Sequence, residues 1–303
     1  MGLFTKRYLS IDMGNHSYKV IEAEIKPRLR IIKYGTYSIL KDGASFAKDL
    51  RNSGYHAKDT LLSFHDPSMI IRELSLPNMN QQDLYENIML EMSELVLLQE
   101  YSIGYKIIPN PDNANLCFAM VAACPQRITR QYINMTTDSG LSLKVLDAQA
   151  NTGFRIIQFL IHHCKQLSNL SGYLLVDLGF HNTSISIIGF GRVLCHKIVS
   201  IGSRELTVDA VQIEEKLSQL EVECNRVIEY FQMSNTNIPL NKGFLYGGGV
   251  YMPHLSLYLN NHIRLNMKEI NSYREYFPEI PLDMDLNLYT NSLGALFREE
   301  DIV

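Results

Sequence analysis

Several features that would narrow the function quickly are missing from this sequence. It has no block of basic residues to track a phosphate backbone: 28 Lys and Arg mix with 32 Asp and Glu for a formal charge of −4. Nucleic acid is therefore not expected as a partner. The five cysteines (Cys117, Cys124, Cys164, Cys195, Cys224) are widely spaced, odd in number and without a C-x-x-C pair. They read as reduced, small hydrophobes rather than disulfides or metal ligands. His162, His163 and Cys164 fall in an apolar helical run with no second ligand cluster, which points to packing or surface roles. No segment offers about 18 uninterrupted apolar residues, and the N-terminal MGLFTKRYLS is too short in apolar length for a signal peptide, so a soluble intracellular chain is expected. Gly2 does not make a myristoylation site, because Lys6 stands where that motif needs Ser or Thr.

What the chain does have is a repeat. YLSIDMGNHS (8–17) returns as YLLVDLGFHN (173–182), with five of ten positions identical. Each copy is an apolar run ending in Asp-x-Gly, then small or polar residues, then a second strand-like run, which reads as strand, tight turn and returning strand. Glycine lets the turn approach a ligand closely, and successive backbone N–H groups in such a turn form an anion site. A carboxylate at the strand tip suits hydrated magnesium, which takes only one or two carboxylates. Two such hairpins are expected to hold a nucleotide triphosphate from both sides.

At 303 residues and 46% hydrophobic content the chain has the length and core for two domains, expected at 1–150 and 151–303. Helical spacing of Leu84, Ile88, Met92 and Leu95 or Val96 predicts a helix over 81–98, and strands are expected at 105–108, 116–122 and 142–146. Ile213, Leu217, Leu220, Cys224, Val227 and Phe231 form one stripe of a long helix that packs on its own domain. Strand 243–246 then runs into Gly247, Gly248 and Gly249 and a helix from about Pro253, a turn against which a flat ligand would lie on bare backbone. Alternating helices and strands around both hairpins predict an α/β fold with mixed sheets.

These parts, in this order, resemble the actin-like ATPase fold of actin, sugar kinases, chaperone ATPase domains, FtsA and PilM: IDMGNHSYK, LDAQANTGF, VDLGFHNTS, LYGGGVYMPHL and LYTNSLGALFR. The segments LSLPNMNQQDLYENIMLEMSELVLLQEYSIGYKII and CFAMVAACPQRITRQYINMTTDSGLSLKVLDAQA resemble the FtsA/PilM-type inserted subdomain, at about 75–125, and the PilM run that follows it. The resemblance implies a duplicated, ribonuclease H-like two-domain fold and ATP with magnesium as ligands. Asp12 and Asp177 would hold the hydrated magnesium. Gly14, Asn15, His16, Ser17 and Lys19 would meet the phosphates from one side, Gly179 and Thr183 from the other, and Gly247, Gly248 and Gly249 the adenosine.

The resemblance also implies a cytoplasmic scaffold of a type IV pilus or related type II secretion inner-membrane complex. Its partners would be the N-terminal cytoplasmic peptide of a PilN-like membrane protein, bound in a groove walled by about 75–125, and other pilus assembly proteins. The membrane is reached only through that partner, since the chain ends in REEDIV where FtsA-type proteins carry an amphipathic helix. An FtsA-like or filament-forming cytoskeletal protein is the alternative. Gln149 stands where actin positions its attacking water and is the one catalytic candidate; a scaffold is expected over an efficient ATPase. The subdomain that covers the base is expected to be shortened, because the second hairpin passes almost directly into the long helix. Loss of a base-stacking wall worth about 1–3 kcal/mol would weaken binding roughly 10- to 150-fold.

Overall fold

The computed structural model describes residues 6–25, 28–39, 44–204, 210–252 and 254–297. Pro27, Pro253 and the terminal REEDIV run fall outside them. The repeat folds as it reads. Strand β1 (Arg7–Met13) turns into β2 (Ser17–Glu24), which pairs antiparallel with it and with β3 (Arg30–Ser38). After helix α1 (Ala44–Asn52), β4 (Asp59–Phe64) joins β1 in parallel.

An insertion follows β4. Strands β5 (Ile70–Pro77), β6 (Tyr101–Pro109) and β7 (Leu116–Pro125) form a separate antiparallel sheet in the order β5-β7-β6. Helix α2 (Gln81–Ser93) covers one of its faces. Leu84, Ile88 and Met92 are buried there as their spacing requires. The helix stops at Ser93 rather than reaching residue 98; beyond it the backbone N–H groups of Glu94, Leu95 and Val96 all turn back to the Met92 carbonyl. Burial alternates along β7 up to Ala123, with Cys117, Ala119, Val121 and Ala123 buried under α2, so Phe118, Met120 and Ala122 lie on the opposite face. Helix α3 (Gln126–Asp138) then leads to β8 (Ser142–Ala148), which completes the first sheet as β3-β2-β1-β4-β8.

Helix α4 (Gln149–His163) leads to the second copy: β9 (Gly172–Leu178), β10 (Thr183–Gly189) and β11 (Arg192–Val199). Every residue of β9 and β10 is buried; β9 is near-continuously apolar, whereas β10 (TSISIIG) is paired on both edges and buries its Thr183, Ser184 and Ser186 hydroxyl residues with its isoleucines. Phe190 and Gly191, at φ 53° and 75°, make the tight two-residue turn between β10 and β11. Helix α5 (Ala210–Ser234) buries Leu217, Leu220, Cys224, Val227 and Phe231 in its own domain's core, as the stripe predicts. Strand β12 (Leu240–Tyr246), helix α6 (Leu255–His262), β13 (Asn266–Glu269) and helix α7 (Leu286–Leu296) complete the chain.

The second sheet runs β11-β10-β9-β12-β13, with the same alternation of antiparallel and parallel pairs as the first. Helices α4 and α7 cross between the sheets inside a shared core that takes residues from both, among them Ile21, Leu61, Tyr173 and Phe244. Gly294 of α7 lies against the α4 backbone at Thr152.

Candidate functional site: a cleft between the two hairpins

The two Asp-x-Gly turns share one geometry. Gly14 N–H donates to the Ser17 carbonyl at 3.2 Å, and its counterpart Gly179 donates to the Asn182 carbonyl at 3.0 Å. In each turn a Cβ on the glycine would lie 2.8 Å from that same carbonyl oxygen, so only glycine closes the turn without displacing backbone. The turns face each other across a cleft of about 280 Å³, with Asp12 and Asp177 at the strand ends. His16 of the first turn stacks on Phe180 of the second, with ring centroids 4.0 Å apart, so the hairpin tips touch.

Both aspartates are buried, and burial is the largest influence on each, raising both above the ordinary carboxylate range. Lys19 on β2 opposes the rise at both, while the Asp12 charge adds to it at Asp177. Asp12 Oδ1 accepts from Ser63 Oγ at 3.1 Å and Gln149 Nε2 at 2.6 Å; Asp177 Oδ2 accepts from Asn291 Nδ2 at 2.8 Å. Two costly carboxylates turned to one cleft are a donor set suited to a hard divalent cation. Among the described residues no group of three or more His, Cys, Asp or Glu could hold a metal, so such an ion would keep most of its waters.

Of the residues singled out in the sequence, Asp12, Gly14, Asn15, His16, Ser17, Lys19, Gln149, Asp177, Gly179, Gly247 and Gly248 line the cleft. Two others do not. Thr183 points to the opposite side of β10 and donates its hydroxyl to the Ile201 carbonyl at 2.6 Å; its neighbours Asn182 and Ser184 line the cleft instead. Gly249 serves packing, because a Cβ there would come within 2.3 Å of Leu178 Cδ2. Thr183→Val should accordingly lower stability by about 1–2 kcal/mol, by stranding the Ile201 carbonyl, and leave any thermal shift from Mg-ATP unchanged. Differential scanning fluorimetry checks both parts.

Gln149 is committed at both ends of its amide. Its Nε2 donates to Asp12, while Oε1 accepts from His65 Nδ1 at 2.5 Å. In this arrangement Gln149 positions the carboxylate, not a water. His65, just after β4, gave no periodic signal in the sequence; its Nε2 is buried without a partner. Asn287 and Asn291 of α7 also escaped notice. Gly247, at φ 92°, has its N–H bound to the Asn287 carbonyl at 2.9 Å, which pins the glycine turn to the helix. The Asn287 side chain in turn accepts from Asn271 N–H and donates to Glu269 Oε2, both at 3.0 Å.

A second cavity, of about 240 Å³, lies on the other side of the cleft wall. The free face of the inserted sheet supplies Ile71, Gly104, Lys106, Ile108, Met120 and Ala122. The first turn of α4 supplies Ala150 and Asn151, and the β10–β11 turn supplies Gly191 and Arg192. Its walls thus lie only partly in 75–125. Gln149 faces the cleft while Ala148 and Ala150 line this second cavity, so the junction of β8 and α4 touches both.

Two sheets of one topology, paired Asp-x-Gly hairpins and a glycine turn docked on a connecting helix define the actin-like ATPase fold. A solved PilM–PilN type IV pilus biogenesis complex contains a chain that superposes on this one with a TM-score of 0.80, covering 98% of each chain at 16% identity. The two chains therefore share one fold over nearly their whole length. A Bacteroides thetaiotaomicron protein with an actin-like ATPase fold and unknown function matches at a TM-score of 0.53 and 12% identity, over 99% of this chain and 100% of its own. No protein-family model and no curated protein matches the sequence.

Proposed function

We propose that this chain is a cytoplasmic scaffold of a type IV pilus or related type II secretion inner-membrane complex, holding ATP-Mg in the cleft and the N-terminal peptide of a PilN-like membrane protein in the groove. The observation that carries this reading is the pair of cavities set back to back, on a fold shared over its whole length with the PilM chain of a PilM–PilN complex. Asp12 and Asp177 hold the hydrated magnesium; the Gly14 and Gly179 turns, with Lys19, receive the phosphates. Gly247 and Gly248 leave bare backbone for the nucleoside. Magnesium supplies charge neutralisation of the phosphates, and the chain supplies position. Attachment to the membrane runs through the partner: among the described residues no helix is long and apolar enough to cross one.

The nucleotide acts as a ligand rather than as a fuel in this reading, because Gln149 is spent on Asp12 and His65. A ligand that binds only the closed pair of domains shifts the population toward that pair, so turnover is not required. Isothermal titration with Mg-ATP, and with a peptide from the cytoplasmic N-terminus of a PilN-like membrane protein, tests both sites. Heat from each ligand is expected, with ATP affinity weaker than micromolar; absence of peptide binding with and without ATP would sink the scaffold reading. Sedimentation with Mg-ATP separates it from a filament former, which would pellet.

A further inference from the structure

The groove is not a property of the first domain and its insertion alone. Arg192 leaves the β10–β11 turn of the second domain and lies over the Phe118 ring on the free face of the inserted sheet, 3.5 Å from the ring centroid. Its Nε is 2.5 Å from Glu73 Oε2 on β5, an ion contact without the alignment of a hydrogen bond. The side chains are 13% and 21% exposed, so water screens this contact far less than it would at the surface. Phe118, Glu73 and Met120 belong to the same sheet face, and Arg192 caps one end of it.

The other ends of the same two strands are in the cleft. β10 starts at Thr183, directly after the Gly179–Asn182 turn, and runs about 20 Å to the groove. β11 returns from Arg192 to the Ile201 carbonyl that binds Thr183, and Ser203 beyond it lines the cleft. β10 is buried throughout and paired on both edges, so it transmits displacement as a rigid element. On the first-domain side, α4 places Gln149 in one cavity and Ala150 in the other.

We infer that Arg192 is the clamp through which occupancy of the cleft sets the width of the groove: it ties the second domain's phosphate hairpin to the inserted sheet, so any ligand that fixes that hairpin against the first domain also fixes the groove's end wall. The inference rests on the proposed nucleotide site and names its regulatory output. By reciprocity a ligand in the groove tightens the cleft by the same factor. Lysine would not replace the arginine, because it keeps the charge toward Glu73 but lacks the planar face that covers Phe118.

The test is hydrogen–deuterium exchange on the full chain with and without saturating Mg-ATP, read at 104–108 and 118–122 and paired with the thermal shift that reports nucleotide binding itself. In the parent protein Mg-ATP should slow exchange in both segments by about fivefold or more. Arg192→Ala should keep the thermal shift and lose the slowing; Arg192→Lys should lose most of it. Glu73→Gln, which keeps the side chain's shape and removes its charge, gives the same comparison should the alanine variant fold poorly. A thermal shift without slowing in the parent overturns the inference and leaves the nucleotide reading standing. Slowing that survives in Arg192→Ala or Glu73→Gln overturns the clamp. No thermal shift in the parent overturns the nucleotide reading and the inference with it.

Discussion

Gly294→Ala should be among the most damaging single substitutions in this chain, although it adds one methyl group. A Cβ at Gly294 would sit 1.9 Å from the Thr152 carbonyl oxygen and 2.6 Å from the carbonyl carbon. Those are backbone atoms of α4, so no side-chain rotation relieves the clash; helices α4 and α7 must separate. Every residue of α7 from Leu286 to Leu296 except Leu288 is buried, and parting the helices opens the core that both sheets share. Overpacking of this kind costs about 3 kcal/mol or more, on the order of a 10 °C fall in Tm for a chain of this size. The damage reaches the cleft as well, because Thr152 Oγ1 donates to Asn291 Oδ1 at 3.1 Å and Asn291 holds Asp177. Calorimetry checks the first effect and loss of the Mg-ATP shift the second. An unchanged Tm would mean that the helices separate at no cost, against the packing described here.

Asp177→Asn should do the opposite to the ligand-free protein, stabilising it while removing the response to Mg-ATP. Burial raises the Asp177 carboxyl, and the neighbouring Asp12 charge adds to the rise, so the folded chain binds a proton there more readily than the unfolded chain. Stability from this group is therefore present at acid pH and falls as pH rises through the raised value. Asparagine removes the charge, and its Oδ1 still accepts from Asn291. At pH 8 the ligand-free variant is expected to exceed the parent by about 1–3 kcal/mol, and the gap should close below the ordinary carboxylate range. Mg-ATP reverses the comparison, since a divalent cation stabilises the ionised pair. The parent's thermal shift should be larger at pH 8 than at pH 5, and the variant's should be near zero at both. A variant that loses stability at pH 8 would show that the carboxylate is a structural anchor and not a ligand site held at a cost.

The sequence made the frame legible because duplication leaves a signal that needs no structure. Asp-x-Gly at 12–14 and 177–179 sets two strand ends, and glycine at the turn is demanded by the 2.8 Å approach to a carbonyl. The stripes of α2 and α5 were readable for the same local reason. What was not legible depends on which way a side chain faces once the sheet has formed. Thr183 and Ser184 are adjacent small polar residues, and only the register of β10 against β9 turns one to the cleft and the other to Ile201. Gly249 looks like part of a ligand turn until Leu178 is seen beneath it. Gln149 stands out only as a candidate for positioning water, because its pairing with Asp12 spans 137 residues and no local pattern reports it. His65, Asn287 and Asn291 have no periodicity to betray them, since each acts through a contact made by another element.

The doubled hairpin also carries an asymmetry. Lys19 follows Asp12 by seven residues, and the residue that follows Asp177 by seven is Ser184. The cradle is close to two-fold in its backbone and lopsided in its charge: among the described residues that line it, the one Lys or Arg side chain, Lys19, is on the first domain. A ligand whose own charge is uneven along its length therefore meets two distinguishable ends, and the exchange of Lys19 for Ser184 is one residue that sets them apart.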